Sequence, residues 1–364
     1  MVNILYINGN IMKRGGIEAF MMNYFREFDR SQIHIDFIVH GYDKGVYDDE
    51  ILAAGSRIYH VPTKSKHPIK YVKELRKIFK NQKYDIVHSH LDAMSGWVLK
   101  IAKECGIPIR IAHSHNTDHL TTNFIKYKIN EASRKKVSKY ATHCFACSVE
   151  AGRWLFGERK FIVIPNAVFT ERFKFNGDSR KKIRKLLKVE NDEILIGNVG
   201  RFDTQKNQKF LVEVFNKLYK LNEKYKLIFV GSGDMQQEVE SYSNNLECGK
   251  NIIFVGSKEN VYEYYNAMDI FTLPSIFEGL GIVLIESQLN GLQSFASDVV
   301  PREVSISDHI LFLPLVIEEW TQAIEKCSIE RKDSLINWEK YDIHKAAIQL
   351  QKIYIDLQNG REVI

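Results

Sequence analysis

The stretch Leu273-Pro274-Ser275-Ile276-Phe277-Glu278-Gly279-Leu280-Gly281-Ile282-Val283-Leu284-Ile285-Glu286 predicts the fold of the region around it. It begins at the end of an apolar, strand-like run, crosses a short loop and enters a helix at Gly281. Gly279 and Gly281 allow the backbone to approach a ligand closely. The first turn of a helix offers unpaired N–H groups at a positive dipole end, which favours phosphate. The stretch therefore predicts a strand, a phosphate-binding loop and a helix.

Two glutamates, Glu278 and Glu286, bracket this loop and helix start. Glu286 follows four apolar residues, so we expect it on a mostly buried helix. A buried carboxylate is costly unless a donor hydrogen-bonds to it, and the diol of a sugar would serve. The spacing alone does not decide between a ligand site and a chance arrangement.

The rest of the chain alternates short β-branched runs with amphipathic stretches, which is typical of doubly wound parallel sheets. Pro165 and the residues after it interrupt this pattern and indicate a linker. We expect an α/β protein of two Rossmann-like domains facing across a cleft. The N-terminal domain covers 1–168 and is joined by the C-terminal helix at about 343–364; the C-terminal domain covers 169–342. Ligands should bind between the carboxyl ends of the two sheets.

Composition fits a globular protein of this size, with 364 residues, 45% apolar residues and 26% charged residues. No apolar run approaches the roughly 18 residues needed to cross a bilayer. Val2–Asn8 resembles a first strand rather than a signal peptide, so we expect a cytoplasmic protein.

Five cysteines are an odd, sparse set that suggests reduced thiols. Cys144 and Cys147 lie three apart on a predicted strand and should point to opposite faces.

The net charge of the chain is mildly basic, with a formal value of +6. This charge is informative about binding partners rather than about the fold. On the predicted helix 124–139, apolar side chains interleave with lysines. A solvated helix face and the surface of an anionic membrane both suit this pattern. No zinc-finger, RNP or helix-turn-helix pattern is present, which disfavours nucleic acid.

Gly200–Asn207 follows the predicted first strand of the second domain and contains Arg201 and Lys206. A guanidinium binds phosphate through a planar fork, and an ammonium adds a mobile point charge. Two exposed basic residues in a polar loop would be the simpler interpretation of this segment alone. Together with Glu278 and Glu286, the pair favours a site.

Gly15 and Gly16 follow the first predicted strand and precede the first helix. A glycine pair there permits a tight turn and brings helix-start amides close to a ligand. The segment lacks the G-x-G-x-x-G pattern, which disfavours a dinucleotide-dependent hydride transfer.

Two H-x-H pairs, His88–His90 and His113–His115, suggest a competing hypothesis. Residues two apart share a strand face, so each pair could present two imidazoles to a metal ion. No convincing set of carboxylate ligands accompanies them, although Asp92 and Asp118 lie nearby.

Ser275–Glu286 and Gly200–Asn207 resemble the signature of retaining glycosyltransferases of the GT-B fold, and most closely that of glycosyltransferase family 4. The resemblance extends along nearly the whole chain, and other segments resemble members that make bacterial capsular and exopolysaccharides. Two departures are Leu280, where Phe is common, and Gln293, where Pro is common. Neither affects a charged position.

The resemblance implies transfer of a hexosyl unit from a nucleotide diphosphate sugar, UDP-linked, with retention at the anomeric carbon. Arg201 and Lys206 would neutralise the departing diphosphate, Glu278 would hold the donor sugar and Glu286 the ribose. A histidine at the reaction centre matches His115 best and His90 second. The implied site consists of Gly15, Gly16, His115, Gly200, Arg201, Lys206, Glu278, Gly279, Leu280, Gly281, Ile282 and Glu286.

The implied partners are a nucleotide diphosphate sugar and a saccharide acceptor carried on polyprenyl diphosphate, with peripheral contact at the inner face of an anionic membrane. No D-x-D follows a predicted strand to hold a metal on the diphosphate, so we expect no metal cofactor. The alternatives are a metal-dependent hydrolase built on the two H-x-H pairs, a sugar-nucleotide epimerase of the same fold and a non-catalytic sugar-nucleotide-binding protein.

Overall fold

The computed structural model describes residues 1–119, 121, 123–332 and 335–363. Its contacts divide the chain into two compact units, Met1–Val168 with Glu339–Ile364, and Phe169–Trp338. Residue 364, the end of the predicted final segment, lies outside the described residues.

The first unit is built on a seven-stranded parallel sheet with the order β3-β2-β1-β4-β5-β6-β7. Its central strands are buried on both faces, as expected where helices cover a parallel sheet. The strands are β1 (Val2–Ile7), β2 (Ile33–His40), β3 (Ile58–Val61), β4 (Ile86–Ser89), β5 (Ile109–Ser114), β6 (His143–Ala146) and β7 (Ile162–Val163).

The helices of the first unit connect these strands, and one comes from the end of the chain. They are α1 (Gly16–Glu27), α2 (Asp48–Ala53), α3 (Pro68–Asn81), α4 (Ser95–Glu104), α5 (Phe124–Tyr140), α6 (Val149–Phe156) and α14 (Ile343–Gln358). Asp342 caps α14 by accepting hydrogen bonds from the backbone N–H groups of His344 and Lys345. The hydroxyl of the buried Tyr354 lies 2.9 Å from that of Tyr6 on β1, which ties the final helix to the centre of this sheet.

The second unit is built on a six-stranded parallel sheet with the order β10-β9-β8-β11-β12-β13. The strands are β8 (Ile194–Val199), β9 (Tyr225–Val230), β10 (Ile252–Phe254), β11 (Ile270–Leu273), β12 (Gln293–Ser297) and β13 (Ile310–Leu313). The helices are α7 (Thr170–Phe173), α8 (Gly177–Leu187), α9 (Gln208–Leu221), α10 (Gln236–Asn244), α11 (Val261–Ala267), α12 (Ile282–Leu289) and α13 (Ile317–Lys326). Trp320, Phe215 and Leu227 are fully buried in its core.

Strand order decides which loops meet. β8 pairs with β11 in the second unit, and β1, β4 and β5 are successive neighbours in the first. Because all these strands are parallel, the loops that follow them lie at one edge of each sheet. The predicted fold class, two parallel-sheet α/β domains, is confirmed.

A buried carboxylate, Asp269, fastens α8 to the sheet of the second unit. It lies 2.6 Å from Arg180 and 3.0 Å from Arg184, and it accepts a hydrogen bond of 2.8 Å from the backbone N–H of Leu195 on β8. Arg184 is also buried, so its charge depends on this partner.

We predict that Asp269→Ala lowers the free energy of unfolding of the second unit by about 3–5 kcal/mol, because it leaves a buried guanidinium without its counter-charge. Urea unfolding followed by circular dichroism measures this change. Asp192→Ala is the matched control, because Asp192 and its partner Lys224 are both exposed. Equal midpoints for the two variants would contradict the role given to Asp269.

Candidate active site

The loop after β8 holds both predicted cations. The side chain of Arg201 is 61% exposed and lies 2.6 Å from Asp203, whose other carboxylate oxygen accepts a hydrogen bond of 3.0 Å from the backbone N–H of Lys206. Asp203 therefore shapes the loop and orients the guanidinium. The exposed head of Arg201 leaves donors directed to solvent, where an anion could bind.

Lys206 reaches the loop after β11 and pairs with Glu278. The ammonium lies 2.6 Å from a carboxylate oxygen of Glu278, which also accepts a hydrogen bond of 2.6 Å from the hydroxyl of Ser275. Glu278 is 5% exposed. The fold therefore joins two predicted site residues that lie 72 positions apart in the sequence.

Backbone contacts hold the same two loops together. Ile276 donates its N–H to the carbonyl oxygen of Gln205 at 2.8 Å, and the side-chain amide of Gln205 donates to the carbonyl oxygen of Phe277 at 3.0 Å. The position of Lys206 beside Glu278 is thus supported on both sides of the pair. Such support keeps charged groups in a fixed geometry.

Gly281 starts the helix that follows this loop. It caps α12 with φ = +89°, a left-handed conformation that favours glycine. Gly231, at the end of β9, lies outside the predicted site but is equally constrained: φ is +149°, and an added Cβ would overlap the carbonyl oxygen of Gly200. The ends of β8 and β9 thus meet closely because Gly231 carries no side chain.

Glu286 lies on α12 and accepts a hydrogen bond of 2.7 Å from the hydroxyl of Tyr265. Burial raises the pKa of Glu286 to about 7, and the bond from Tyr265 opposes this shift. The sequence predicts the need for a donor at this carboxylate, but it does not reveal that Tyr265 of α11 supplies one.

In the first unit, the predicted glycines occupy the start of α1. Gly15 is its N-cap and Gly16 its first residue. Glu18, in the same turn, accepts a hydrogen bond of 3.0 Å from the side-chain amide of Asn8 at the end of β1. An added Cβ at Gly16 would meet no described atom within 4 Å.

The two H-x-H pairs come together in one buried cluster on β4 and β5. His88 Nε2 lies 3.0 Å from His113 Nδ1, and His90 Nδ1 lies 2.9 Å from His115 Nε2. The two hydrogen-bonded pairs are stacked, with ring centroids 4.2 Å apart for His88 and His90 and 4.1 Å apart for His113 and His115. Burial lowers the pKa of all four imidazoles, that of His115 to about 3, so the cluster is neutral.

The geometry of this cluster does not favour a metal site. Ring nitrogens of His88, His90 and His113 lie within 4.8 Å of one another, and in the described part of the chain no carboxylate joins them. A nitrogen lone pair lies in the plane of its ring. Because the stacked rings are tilted by only 29° and 15°, their lone pairs run side by side rather than to one point. One nitrogen of each ring is instead hydrogen-bonded to another imidazole, while His90 Nε2, His113 Nε2 and His115 Nδ1 have no hydrogen-bond partner among the described residues.

His115 directly follows β5 and is 7% exposed. Its backbone N–H donates to a carboxylate oxygen of Asp92 at 2.6 Å, and the side-chain amide of Asn116 donates to the other oxygen at 2.8 Å. The sequence indicates Asp92 only as a candidate metal ligand. Its contacts to the segment after the neighbouring strand depend on strand order.

Two family models match the chain in succession: "Glycosyltransferase Family 4" over residues 14–172 and "Glycosyl transferases group 1" over residues 179–340. Together with the two parallel sheets, these matches identify a glycosyltransferase of the GT-B fold. The chain belongs to glycosyltransferase family 4, since it is 31% identical to the putative glycosyltransferase EpsF of Bacillus subtilis over 328 residues, 87% of this chain and 85% of that protein.

Two further relatives come from surface polysaccharide and lipid-linked saccharide synthesis. The capsular polysaccharide biosynthesis glycosyltransferase CapH of Staphylococcus aureus is 27% identical over 98% of this chain and 99% of its own. The UDP-Gal:α-D-GlcNAc-diphosphoundecaprenol α-1,3-galactosyltransferase of Escherichia coli is 25% identical over 78% of this chain and 76% of its own.

Among solved structures, HepE of Anabaena in complex with UDP-glucose has the same fold. It aligns with a TM-score of 0.77 at 15% identity and covers 99% of this chain and all of its own.

In opposition to the buried histidines, whose lowered pKa makes stability rise with pH, we predict that Glu286 lowers the stability of the protein as the pH rises from about 4 to about 7. Its folded-state pKa lies above the value near 4.3 of an unfolded glutamate, so the folded state binds more protons in this window and loses stability as they leave. Glu286→Gln should reduce the loss by about 1–3 kcal/mol between pH 5 and pH 8 in urea titrations.

Tyr265→Phe provides the matching control for this titration. It removes the hydrogen bond that lowers the pKa of Glu286, so the loss of stability should extend to higher pH. Identical pH profiles for the wild type and Glu286→Gln would contradict the prediction.

Proposed function

We propose that the protein transfers a hexosyl unit from a UDP-sugar to a saccharide acceptor, with retention at the anomeric carbon. The observation that carries this proposal is the contact between Lys206 and Glu278 at the carboxyl edge of the second sheet, beside the exposed Arg201. HepE, of the same fold, is solved with UDP-glucose, and the name of the E. coli relative specifies UDP-Gal as its donor. Both support a uridine diphosphate donor here.

In this proposal the leaving diphosphate binds to Arg201 and Lys206. Bond cleavage at the anomeric carbon places negative charge on the β-phosphate, and two preorganised cations stabilise that charge. The N-terminal amides of α12 after Gly281 add partial positive charge at the same loop. Fixed cations provide the stabilisation that other transferases obtain from a metal ion, so we propose that turnover needs no metal.

Glu278 has a second role once the donor is bound. A carboxylate only accepts hydrogen bonds, so it suits the hydroxyl groups of the transferred sugar. In the unliganded protein, Lys206 and Ser275 compensate its charge. When the diphosphate binds Lys206, the sugar hydroxyls donate hydrogen bonds to Glu278 and compensate part of its charge. Recognition of the sugar is thereby coupled to recognition of the diphosphate.

Glu286 is proposed to accept hydrogen bonds from the ribose, and Tyr265 holds its carboxylate in place. In the first unit, Gly15 and Gly16 are proposed to bring the N-terminal amides of α1 close to the donor, and His115 is proposed to contribute at the reaction centre as a neutral imidazole.

We predict that Lys206→Ala lowers the release of UDP from a UDP-hexose on the order of 10²–10³-fold, because a charge developing in the transition state loses its stabiliser. Turnover should be measured with UDP-glucose, UDP-galactose and UDP-N-acetylglucosamine, with and without EDTA. Lys209→Ala is the matched control, because Lys209 is exposed on α9 and lies over the Tyr242 ring.

Three results would overturn the proposal in different ways. Turnover lost in EDTA and restored by zinc or manganese would reveal a metal-dependent reaction. UDP-sugar interconversion without an acceptor would indicate an epimerase. A thermal midpoint raised by a UDP-sugar without any turnover would indicate a non-catalytic binding protein.

We further propose that the acceptor is carried on a polyprenyl diphosphate and is met at an anionic membrane surface through α5. Phe124 and Ile125 are 71% and 69% exposed, and Lys126 and Lys128 follow in the same turn. With Trp97 of α4, these apolar side chains line a recess of about 330 Å³. Apolar side chains flanked by lysines suit the boundary between headgroups and acyl chains. Within the described residues, no helix combines the length and apolar character that a bilayer crossing requires.

We predict that the wild type floats with liposomes that contain anionic phospholipid and much less with zwitterionic ones. Replacing both Phe124 and Ile125 by Ser should weaken flotation by roughly tenfold or more, since each apolar side chain would lose its burial in lipid. Ile69→Ser removes an even more exposed apolar residue, from α3, and should leave flotation unchanged. Equal flotation of all three proteins, or none, would refute membrane contact through α5.

A further inference from the structure

Asp92 has an unusual backbone for a residue in an ordered turn. It is the first residue of a 3₁₀ turn, Asp92–Met94, that follows β4 closely, and its φ is +46°. A non-glycine residue in the left-handed region costs free energy, and it persists where surrounding contacts hold it there. The contacts of Asp92 therefore indicate what holds it in this conformation.

Those contacts go to the residues that follow the neighbouring strand. One carboxylate oxygen accepts the backbone N–H of His115 at 2.6 Å, and the other accepts the side-chain amide of Asn116 at 2.8 Å. Both oxygens are thus committed to one dipeptide at the carboxyl end of β5. A single carboxylate fixes the backbone of His115 and the side chain of Asn116 together.

The His115 ring is held separately. Its Nε2 is hydrogen-bonded to His90, its face stacks on His113, and the edge of Phe20 packs against it with centroids 5.3 Å apart. Its Nδ1 has no hydrogen-bond partner among the described residues. With the ring fixed by its neighbours, the backbone contact to Asp92 sets where this segment lies along the sheet edge.

We infer that Asp92 is a positioning residue of the transfer reaction: its ionised carboxylate holds His115 and Asn116 in the arrangement that the reaction requires. The inference rests on the proposed function, in which His115 contributes at the reaction centre. Asp92 itself need touch neither donor nor acceptor. Only the ionised form offers two acceptor oxygens, so protonation releases one of the two contacts.

The charge of Asp92 changes in an accessible pH range. Burial raises the pKa of Asp92 to about 6, opposed by the hydrogen bonds from His115 and Asn116 and by the charge of His119. His119 is itself bound to Glu131 of α5 at 3.2 Å. His90 and His115 remain neutral here, because burial lowers their pKa. Turnover should therefore fall as the pH falls through about 6.

The test compares Asp92→Asn with the wild type in donor turnover between pH 5 and pH 8. Asn keeps the shape, tolerates a positive φ and retains one acceptor oxygen, so it removes the charge and one contact. We expect kcat to fall on the order of 10²-fold, as for a small misplacement near a reaction centre. The KM for the donor should change little, and the acidic limb near pH 6 should be absent.

Asp85→Asn is the matched control. Asp85 directly precedes β4 at the opposite end of the strand, where its carboxylate accepts the backbone N–H of Asn3 at 2.8 Å. This variant removes a carboxylate charge next to the same strand while its amide oxygen can still accept from Asn3, so it should keep the kcat and the acidic limb of the wild type. A change in kcat and pH profile matching that of Asp92→Asn would show a general stability effect and overturn the inference.

Asn116→Ala tests the same contact without altering Asp92. The hydrogen bond from Asn116 lowers the pKa of Asp92, so its removal should move the acidic limb to higher pH as well as lower kcat. An unmoved limb in Asn116→Ala, or wild-type kcat and limb in Asp92→Asn, overturns the inference while the transferase activity stands. Absence of turnover in the wild type with every donor overturns the proposed function as well.

Discussion

Parallel pairing of β8 with β11 is the constraint on which the candidate site depends. It places the loop after each strand at the same edge of the second sheet, so that Lys206 and Glu278, 72 positions apart, lie 2.6 Å from each other. Neither strand contains a residue of the candidate site. The strands fix the distance between two loops, and the backbone contacts of Gln205 with Ile276 and Phe277 keep those loops from separating. A rigid sheet edge is what allows short loops to hold charged groups at a defined spacing.

The Lys206–Glu278 pair also compensates charge at a largely buried position. A buried charge that loses its partner is strongly destabilising, so each of these groups needs a compensating partner. Glu278 has Lys206 and Ser275, and the exposed Arg201 has Asp203. An arriving dianion would therefore exchange existing contacts for new ones rather than fill an uncompensated field.

Elements with strong periodicity and clear boundaries could be predicted from the sequence to the residue. The sequence pattern predicts helices over 208–221 and 261–267 and a strand over 225–230, which are the bounds of α9, α11 and β9 in the structure. α4 was not predicted, because Asp92 and the small residues Ser95 and Gly96 obscure its start. The sequence also predicts the loops that carry Arg201, Lys206 and Glu278, because these loops follow apolar, strand-like runs. Their partners were not: Tyr265 beside Glu286, and Asp92 beside His115, depend on which strands and helices become neighbours.

The histidines show where a sequence pattern leaves the chemistry open. Alternation along a strand places His88 and His90 on one face at β4. It likewise places His113 and His115 on one face at the neighbouring β5. It says nothing about the planes of the rings, and ring planes decide between a metal site and a stack. In the structure His88 donates to or accepts from the hydroxyl of Tyr354 at 2.7 Å, and Tyr354 belongs to the final helix. Helix α14 thus contacts the neutral histidine stack. This contact helps to fix β4 and β5, the strands that Asp92 and His115 follow.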